Sequence, residues 1–163
     1  MTVSLFSFVR MFDQQLVTAG HLLDKGEAAA GEEFLDWRLV EDMHPLRFQV
    51  RILVNFARNW PARVIGQEPP AEIGDDLDLA GFRAALADAR ALLAALTPEQ
   101  FTGRDDVPLT VTLGTGLAPT LPSGQWLTGF ATINLYFHLS MIYAILRARG
   151  VAICKTDLFA CGL

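Results

Sequence analysis

The sequence predicts an all-α fold, a four-helix bundle in a single domain over residues 1–163, with a small β-hairpin inserted before the last helix. Three observations lead to this prediction. Apolar residues recur every three or four positions in three long segments, which is the period of an amphipathic helix. A fourth segment is apolar on nearly every face, as is typical of a helix buried among others. A short stretch of alternating apolar and polar residues precedes it, as in a β-strand.

The first two helices are bounded by glycine and proline. The first is predicted from Ser4 to about Lys25, and Gly26 is expected to end it because glycine is a poor helix former. The second is predicted to begin at Pro45, since proline suits the first helical position, and to stop at Gly66. Its inward-facing stripe is predicted to comprise Phe48, Gln49, Ile52, Leu53, Phe56 and Trp60.

The third helix and the hairpin follow a turn-rich linker. Asp78 is a suitable N-cap, and apolar residues repeat at helical spacing from there to Leu96. From Leu109 to Leu113 apolar residues alternate with threonines, and a Gly-Thr-Gly turn comes next. A β-hairpin extending to about Leu121 is therefore predicted.

The last helix is predicted from about Gln125 to Arg149, with Gly150 where a left-handed residue ends many helices. Because this helix is apolar on nearly every face, we expect it to be buried on nearly every face. His138 and Asn134, one turn apart within it, are then expected to enter the protein interior. Buried polar side chains need hydrogen-bond partners, so both residues are candidates for a functional site.

Composition and charge restrict the function further. The chain has 163 residues, of which 52% are hydrophobic and 19% charged, and its formal net charge is −5. The apolar content predicts a homodimer that hides apolar surface, and the negative charge predicts no binding to nucleic acid. The run from Leu135 to Leu146 is shorter than the roughly 20 residues that cross a bilayer, so no membrane span is predicted. The N-terminus lacks the basic-then-apolar order of a signal peptide, which predicts a cytoplasmic protein.

Two segments are similar to a known family. They are LVEDMHPLRFQ, from Leu39 to Gln49, and FATINLYFHLSMIYAILRARGVAICKTD, from Phe130 to Asp157. They resemble the bacterial domain-of-unknown-function family 1993, a branch of the DinB/YfiT-like superfamily of four-helix bundles. The similarity covers essentially the full chain, and it implies a DinB-like four-helix bundle with the hairpin ahead of the last helix.

The same resemblance bears on metal binding. Many DinB-like proteins hold a divalent metal with three histidines, one on the second helix and two spaced four residues apart on the last. Here His138 matches the second histidine of that pair, Asn134 stands at the first, and Gln49 is the inward polar residue of the second helix. Amide oxygens are poor ligands for the metals that histidine triads hold, so the triad is incomplete and no cofactor is predicted. A divalent metal stays open as an alternative, with His138 and His44 as its weak candidate ligands.

Three interpretations of His138 follow. It is a core histidine bonded to Gln49, Asn134 or a backbone carbonyl, or it lines a small-ligand pocket, or it binds a metal. The pocket is predicted to be lined by His138, Asn134, Gln49, Tyr136 and Tyr143. The predicted function is the binding of a small ligand in the bundle interior, with no catalytic residue assigned. The alternatives are a divalent-metal-dependent enzyme of the thiol-transferase type and a structural or stress-related dimer without pocket chemistry.

Overall fold

Four helices and one hairpin make up the fold in the computed structural model, which describes residues 3–114, 116–160 and 162. The all-α bundle with its hairpin is confirmed. The four helices are α1 (Leu5–Ala30), α2 (Leu46–Val64), α3 (Leu79–Ala94) and α4 (Ser123–Ala148). The strands are β1 (Pro108–Thr110) and β2 (Thr120–Pro122), and short 3₁₀ turns cover Gly31–Asp36, Pro98–Phe101 and Lys155–Phe159.

Helix α1 is longer than predicted because Gly26 does not end it. Gly26 is buried, and a Cβ at this position would lie 2.5 Å from the Phe34 ring. The glycine therefore serves the close packing of the following 3₁₀ turn against the helix. Three alanines, the best helix formers, then extend α1 to Ala30.

Helix α2 begins one residue later than predicted, with Pro45 as its N-cap, and it continues through Pro61 to Val64. Its most deeply buried apolar residues are Leu46, Val50, Leu53, Val54, Ala57 and Val64. The predicted inward stripe is thus displaced, since Phe48, Ile52 and Phe56 are only half-buried. These three residues lie on the half-buried face of α2, next to the candidate site.

Helix α4 packs most extensively against α2 and also against α1. Its first turn, Ser123–Gln125, leads into a π-helical segment, Trp126–Ala131, before regular α-helix over Thr132–Ala148. Gly150 follows with a φ of 80°, as predicted for a left-handed helix end.

The expectation that the last helix is buried on nearly every face is wrong. Leu135, Leu139 and Ile142 are buried, but the side chains of Ile133 and Phe137 are 66% and 53% exposed. By length and composition alone, α4 is apolar enough to cross a membrane, a property that it shares with core helices of bundle proteins. In this structure α4 is one member of the bundle.

The hairpin is anchored to the beginning of α4. Its strands pair antiparallel with Leu109 opposite Leu121, and they are shorter than predicted. Trp126 Nε1 donates to the Leu109 carbonyl at 2.8 Å, and Ser123 Oγ donates to the Val107 carbonyl at 2.9 Å. The middle residue of the predicted Gly-Thr-Gly turn, Thr115, lies outside the described residues.

Candidate functional site between α2 and α4

A hydrogen bond between His138 and Gln49 joins α4 to α2. Nδ1 of the His138 ring lies 2.8 Å from Oε1 of Gln49. The ring is half-buried, whereas Gln49 is only 3% exposed. Because the Gln49 amide is removed from water, it depends on protein groups for its hydrogen bonds. Two of the predicted site residues are therefore in direct contact.

The backbone carbonyl of His44 orients the Gln49 amide. Gln49 Nε2 donates to this carbonyl oxygen at 3.2 Å. The carbonyl is available because the first hydrogen bonds of α2 are accepted by Pro45, one residue further on. With Nε2 bonded to His44, Oε1 is the atom that meets His138, and an oxygen can only accept. His138 must then carry its proton on Nδ1, which leaves Nε2 with a lone pair.

The environment keeps the His138 ring neutral. Burial lowers the pKa of His138 from 6.5 to about 4, and the nearby positive charge of protonated His44 adds a smaller effect in the same direction. The Gln49 amide carries no charge that could oppose this shift. At neutral pH, His138 Nε2 is consequently a hydrogen-bond acceptor rather than a donor.

Three phenylalanine rings surround the histidine. The Phe137 ring stands perpendicular to it with centroids 5.2 Å apart, and the Phe48 and Phe56 rings both lie at 6.4 Å. The imidazole of His44 is exposed and stacks on Phe48 with centroids 3.8 Å apart. His44 therefore contributes its carbonyl to the site, whereas its side chain covers the outer face of an aromatic wall.

The other three predicted pocket residues bond or pack elsewhere. Asn134 Nδ2 donates to the Phe130 carbonyl of its own helix at 2.9 Å. Tyr136 lies on the α1 side of α4, where its hydroxyl accepts a hydrogen bond from Gln15 Nε2 at 3.2 Å. Tyr143 is half-buried and packs against the core. The structure thus brings together His138 and Gln49 but does not gather all five residues around one pocket.

The residues present do not fit the metal that the resemblance implies. Among the described residues, no group of three or more histidine, cysteine, aspartate or glutamate side chains lies close enough together to hold a metal ion. The Gln49 oxygen already accepts a hydrogen bond from His138, and the Asn134 amide donates a hydrogen bond within its own helix. Of the three positions that the resemblance places around the metal, only His138 supplies an imidazole nitrogen, whereas a structural or catalytic zinc site uses three or four ligands. The ring of His44, the other weak candidate, stacks on Phe48.

Two contributors to the site have no signal in the sequence pattern. The first is a main-chain carbonyl, that of His44, which no side-chain periodicity reports. The second is Phe137, which stands one residue before His138 on a helix that has no charged residue between Ser123 and Leu146. The proline after His44 is the one available clue, because it marks where the helix starts and hence which carbonyl remains outside it.

The family model described as "Domain of unknown function (DUF1993)" matches residues 6–159. The chain belongs to this family. It is also similar to the crystal structure of a DinB family member protein from Shewanella denitrificans, with a TM-score of 0.85 and 27% sequence identity. That similarity covers 95% of this chain and 91% of the other. No curated protein matches the chain. The DUF1993 family and the DinB-like fold are thus confirmed. The description of the site residues rests on the structure of this chain alone.

Proposed function

We propose that this DUF1993 protein binds a small uncharged ligand at His138 without the help of a metal ion. The direction of the His138–Gln49 hydrogen bond supports this proposal, because it leaves Nε2 of His138 as an acceptor. An N–H or O–H group of the ligand donates to Nε2. The apolar body of the ligand packs against Phe48, Phe56 and Phe137, whose rings lie around the histidine.

The lowered pKa of His138 favours binding over catalysis. A general base is most effective when its pKa is close to the working pH, whereas the pKa of His138 is about 4. The ring therefore has little tendency to take a proton from a substrate at neutral pH. The alternative enzyme of the thiol-transferase type also needs metal ligands, and the described residues contain no group that could supply them.

The test is a titration of histidine-labelled protein with indole and N-methylindole, followed by the ring nitrogen resonances in NMR. The two probes share a flat apolar body, and only indole has an N–H donor. In the protein without ligand, we expect the His138 ring to carry its proton on Nδ1. We expect indole to shift the Nε2 resonance at about tenfold lower concentration than N-methylindole does. His21 is the internal control, because its Nε2 already lies 2.7 Å from Asp157 Oδ1.

Two results would overturn the proposal. A proton on Nε2 of His138 in the free protein would mean that the ring cannot accept from a ligand. Equal effects of the two probes on His138, or none at millimolar concentration, would show that no donor is recognised there. The structural or stress-related dimer would then be the favoured alternative.

The proposed assembly is a homodimer formed through α4. No Asp, Glu, Lys or Arg occurs between Ser123 and Leu146, and the exposed residues Ile133 and Phe137 lie four apart on one face. Two copies of this charge-free stripe can pack against each other about a two-fold axis. Sedimentation of the wild type and of Ile133→Ser tests this assembly. A dimer that becomes a monomer on substitution is expected, and a wild-type monomer would contradict it.

Cytoplasmic location and the absence of nucleic-acid and membrane partners remain predictions.

A further inference from the structure

A cleft of about 370 Å³ opens beside the C-terminal half of α2. Its walls are the rings of Phe56, Trp60 and Phe130, which lie 5.3 to 6.0 Å apart from one another. Val111 and Leu113 of the hairpin segment also line it. His138 is not among the lining residues, although Phe56 contributes a ring both to this cleft and to the His138 site. The cleft therefore adjoins the site described above but does not include its histidine.

The linker after α2 is held in place at this cleft by Asn55. Its Nδ2 donates to the Ile73 carbonyl at 3.2 Å, and its Oδ1 accepts from the Ile73 N–H at 3.0 Å. This bidentate contact satisfies both ends of the buried amide and fixes the wall that carries Glu72. Two specific hydrogen bonds therefore hold this wall of the cleft in place.

Asn59, one turn further along α2, lines the same cleft in a different state. It is 5% exposed, and its Oδ1 is buried without a hydrogen-bond partner. The other buried side-chain atoms without partners in the described part of the chain are the Nε atoms of Arg51 and Arg58. Asn59 is thus the one buried acceptor in that set. An unpaired buried acceptor is costly for the fold. Because Oδ1 itself has almost no accessible surface, a ligand donor in the cleft would reach it after a rotation of the Asn59 amide.

The charges at the cleft favour an anion. Arg63 lies at its edge, with its guanidinium carbon 6.0 Å from the centre of the Trp60 ring, and forms no ion pair with any described residue. The acid that lines the cleft, Glu72, faces Arg51 with N and O atoms 3.6 Å apart. Because the charge of Glu72 is balanced by Arg51, the positive charge of Arg63 is left for a ligand.

We propose that this cleft binds a small aromatic carboxylate that carries a hydroxyl or amino donor opposite its carboxylate. The aromatic walls enclose the ring, the Asn59 amide turns to present Oδ1 to the donor, and Arg63 binds the carboxylate. Asn59 and Arg63 are four residues apart on α2, about 6 Å along its axis, so one benzene ring can join the two contacts. The cleft volume lies within the range of small-molecule sites.

The test compares 4-hydroxybenzoate with benzoate, which lacks the donor, and with phenol, which lacks the carboxylate, by calorimetric titration of the full chain. We expect benzoate and phenol to bind about tenfold more weakly than 4-hydroxybenzoate. Equal affinity for all three compounds, or no binding of 4-hydroxybenzoate at millimolar concentration, would overturn the proposal.

Two variants assign the contacts. Asn59→Leu should bind 4-hydroxybenzoate only as tightly as wild type binds benzoate, and Arg63→Gln only as tightly as wild type binds phenol. Arg10→Gln, which removes an exposed arginine outside the cleft, is the charge control and should keep wild-type affinity. His138→Asn should also keep it, which separates this cleft from the His138 site. Full discrimination between 4-hydroxybenzoate and benzoate in a folded Asn59→Leu variant would refute the role of Asn59.

Discussion

Two amides on the same helix, Gln49 and Asn59, occupy opposite situations. Both are almost fully buried, at 3% and 5% exposure, and they stand ten residues apart, about 15 Å along α2. Gln49 has a partner at each end of its amide, the His44 carbonyl and the His138 ring. Asn59 has an oxygen without any partner. The same functional group is therefore used internally at one end of the helix and left open at the other.

The difference arises from what surrounds each amide. Near its N-terminus α2 leaves a carbonyl outside the helix, and α4 packs close enough to present a histidine, so the Gln49 amide is satisfied within the protein. Near its C-terminus the linker and the hairpin segment border a cleft, and no described group lies within hydrogen-bond distance of the Asn59 oxygen. A satisfied amide can position another side chain, whereas an unsatisfied one can bind a ligand.

The largest effect is expected from restoring the histidines that the DinB-like resemblance places around a metal. The double substitution Gln49→His, Asn134→His adds two imidazoles to His138, and the chain should gain zinc binding. At a zinc concentration one hundred times the dissociation constant, the ion should stabilise the folded state by about 2.7 kcal/mol. Thermal unfolding with and without zinc measures this gain.

The control for that variant is the same double substitution combined with His138→Asn, which should respond to zinc much less. A zinc-dependent rise of the same size in the wild type would contradict the view that Gln49 and Asn134 have replaced a metal site. Metal analysis of the purified wild type provides the independent check.

The comparison between the two amides predicts effects of opposite kind when each is replaced by leucine. Gln49→Leu leaves the His44 carbonyl and the His138 Nδ1–H without a partner, and should lower the free energy of unfolding by about 1–3 kcal/mol. Asn59→Leu removes an atom that has no partner, and should be neutral or stabilising. Urea denaturation of both variants under identical conditions measures the difference. Equal destabilisation would mean that the Asn59 oxygen has a partner in solution.

The sequence was sufficient for the bundle because helix periodicity, the Asp78 cap and the Gly150 terminus all depend on neighbouring residues. It failed at Gly26 because the reason for that glycine is the Phe34 ring, which reaches it only after the chain has turned back. It also overestimated the burial of α4, since an apolar residue such as Phe137 carries no mark that tells whether it faces the core or the surface.

Only part of the candidate site could be predicted from the sequence, for a related reason. The pairing of His138 with Gln49 follows from two polar residues on the facing sides of two packed helices, a pattern that the sequence contains. Asn134 bonds to its own helix next to the π-helical segment, a local irregularity with no signal in the spacing. Tyr136 differs from His138 by only two positions, yet two residues turn a helix by more than half a circle. Asn59 was missed because a missing partner cannot be seen in a sequence.

The buried pair also predicts a pH dependence of stability. The pKa of His138 falls from 6.5 to about 4 on folding. Between these values the unfolded chain takes up a proton that the folded chain does not, so stability falls as pH decreases through this window and levels off below it. The upper bound is about 1.4 kcal/mol per pH unit, reduced here because solvent reaches part of the ring.

The measurement is the urea midpoint of the wild type minus that of His138→Asn, whose amide nitrogen can replace Nδ1 as the donor to Gln49. This difference in midpoint should decrease as the pH is lowered from above 6.5 to about 4, because only the wild type loses stability through His138. A difference that is independent of pH would place His138 in an ordinary solvated environment.

The smallest expected effect, and the most direct report on the His138–Gln49 contact, is a change in the pKa of His138 in Gln49→Glu. A carboxylate in place of the neutral amide favours the imidazolium form, so the pKa should rise by at least about one unit. The new acid and His138 titrate as a coupled pair, so the NMR titration gives values for the pair. Gln14→Glu adds the same charge at an exposed position on α1 and should leave the pKa of His138 almost unchanged. Equal shifts in both variants would indicate a general effect of charge, and would remove the hydrogen bond on which the neutral, accepting state of His138 depends.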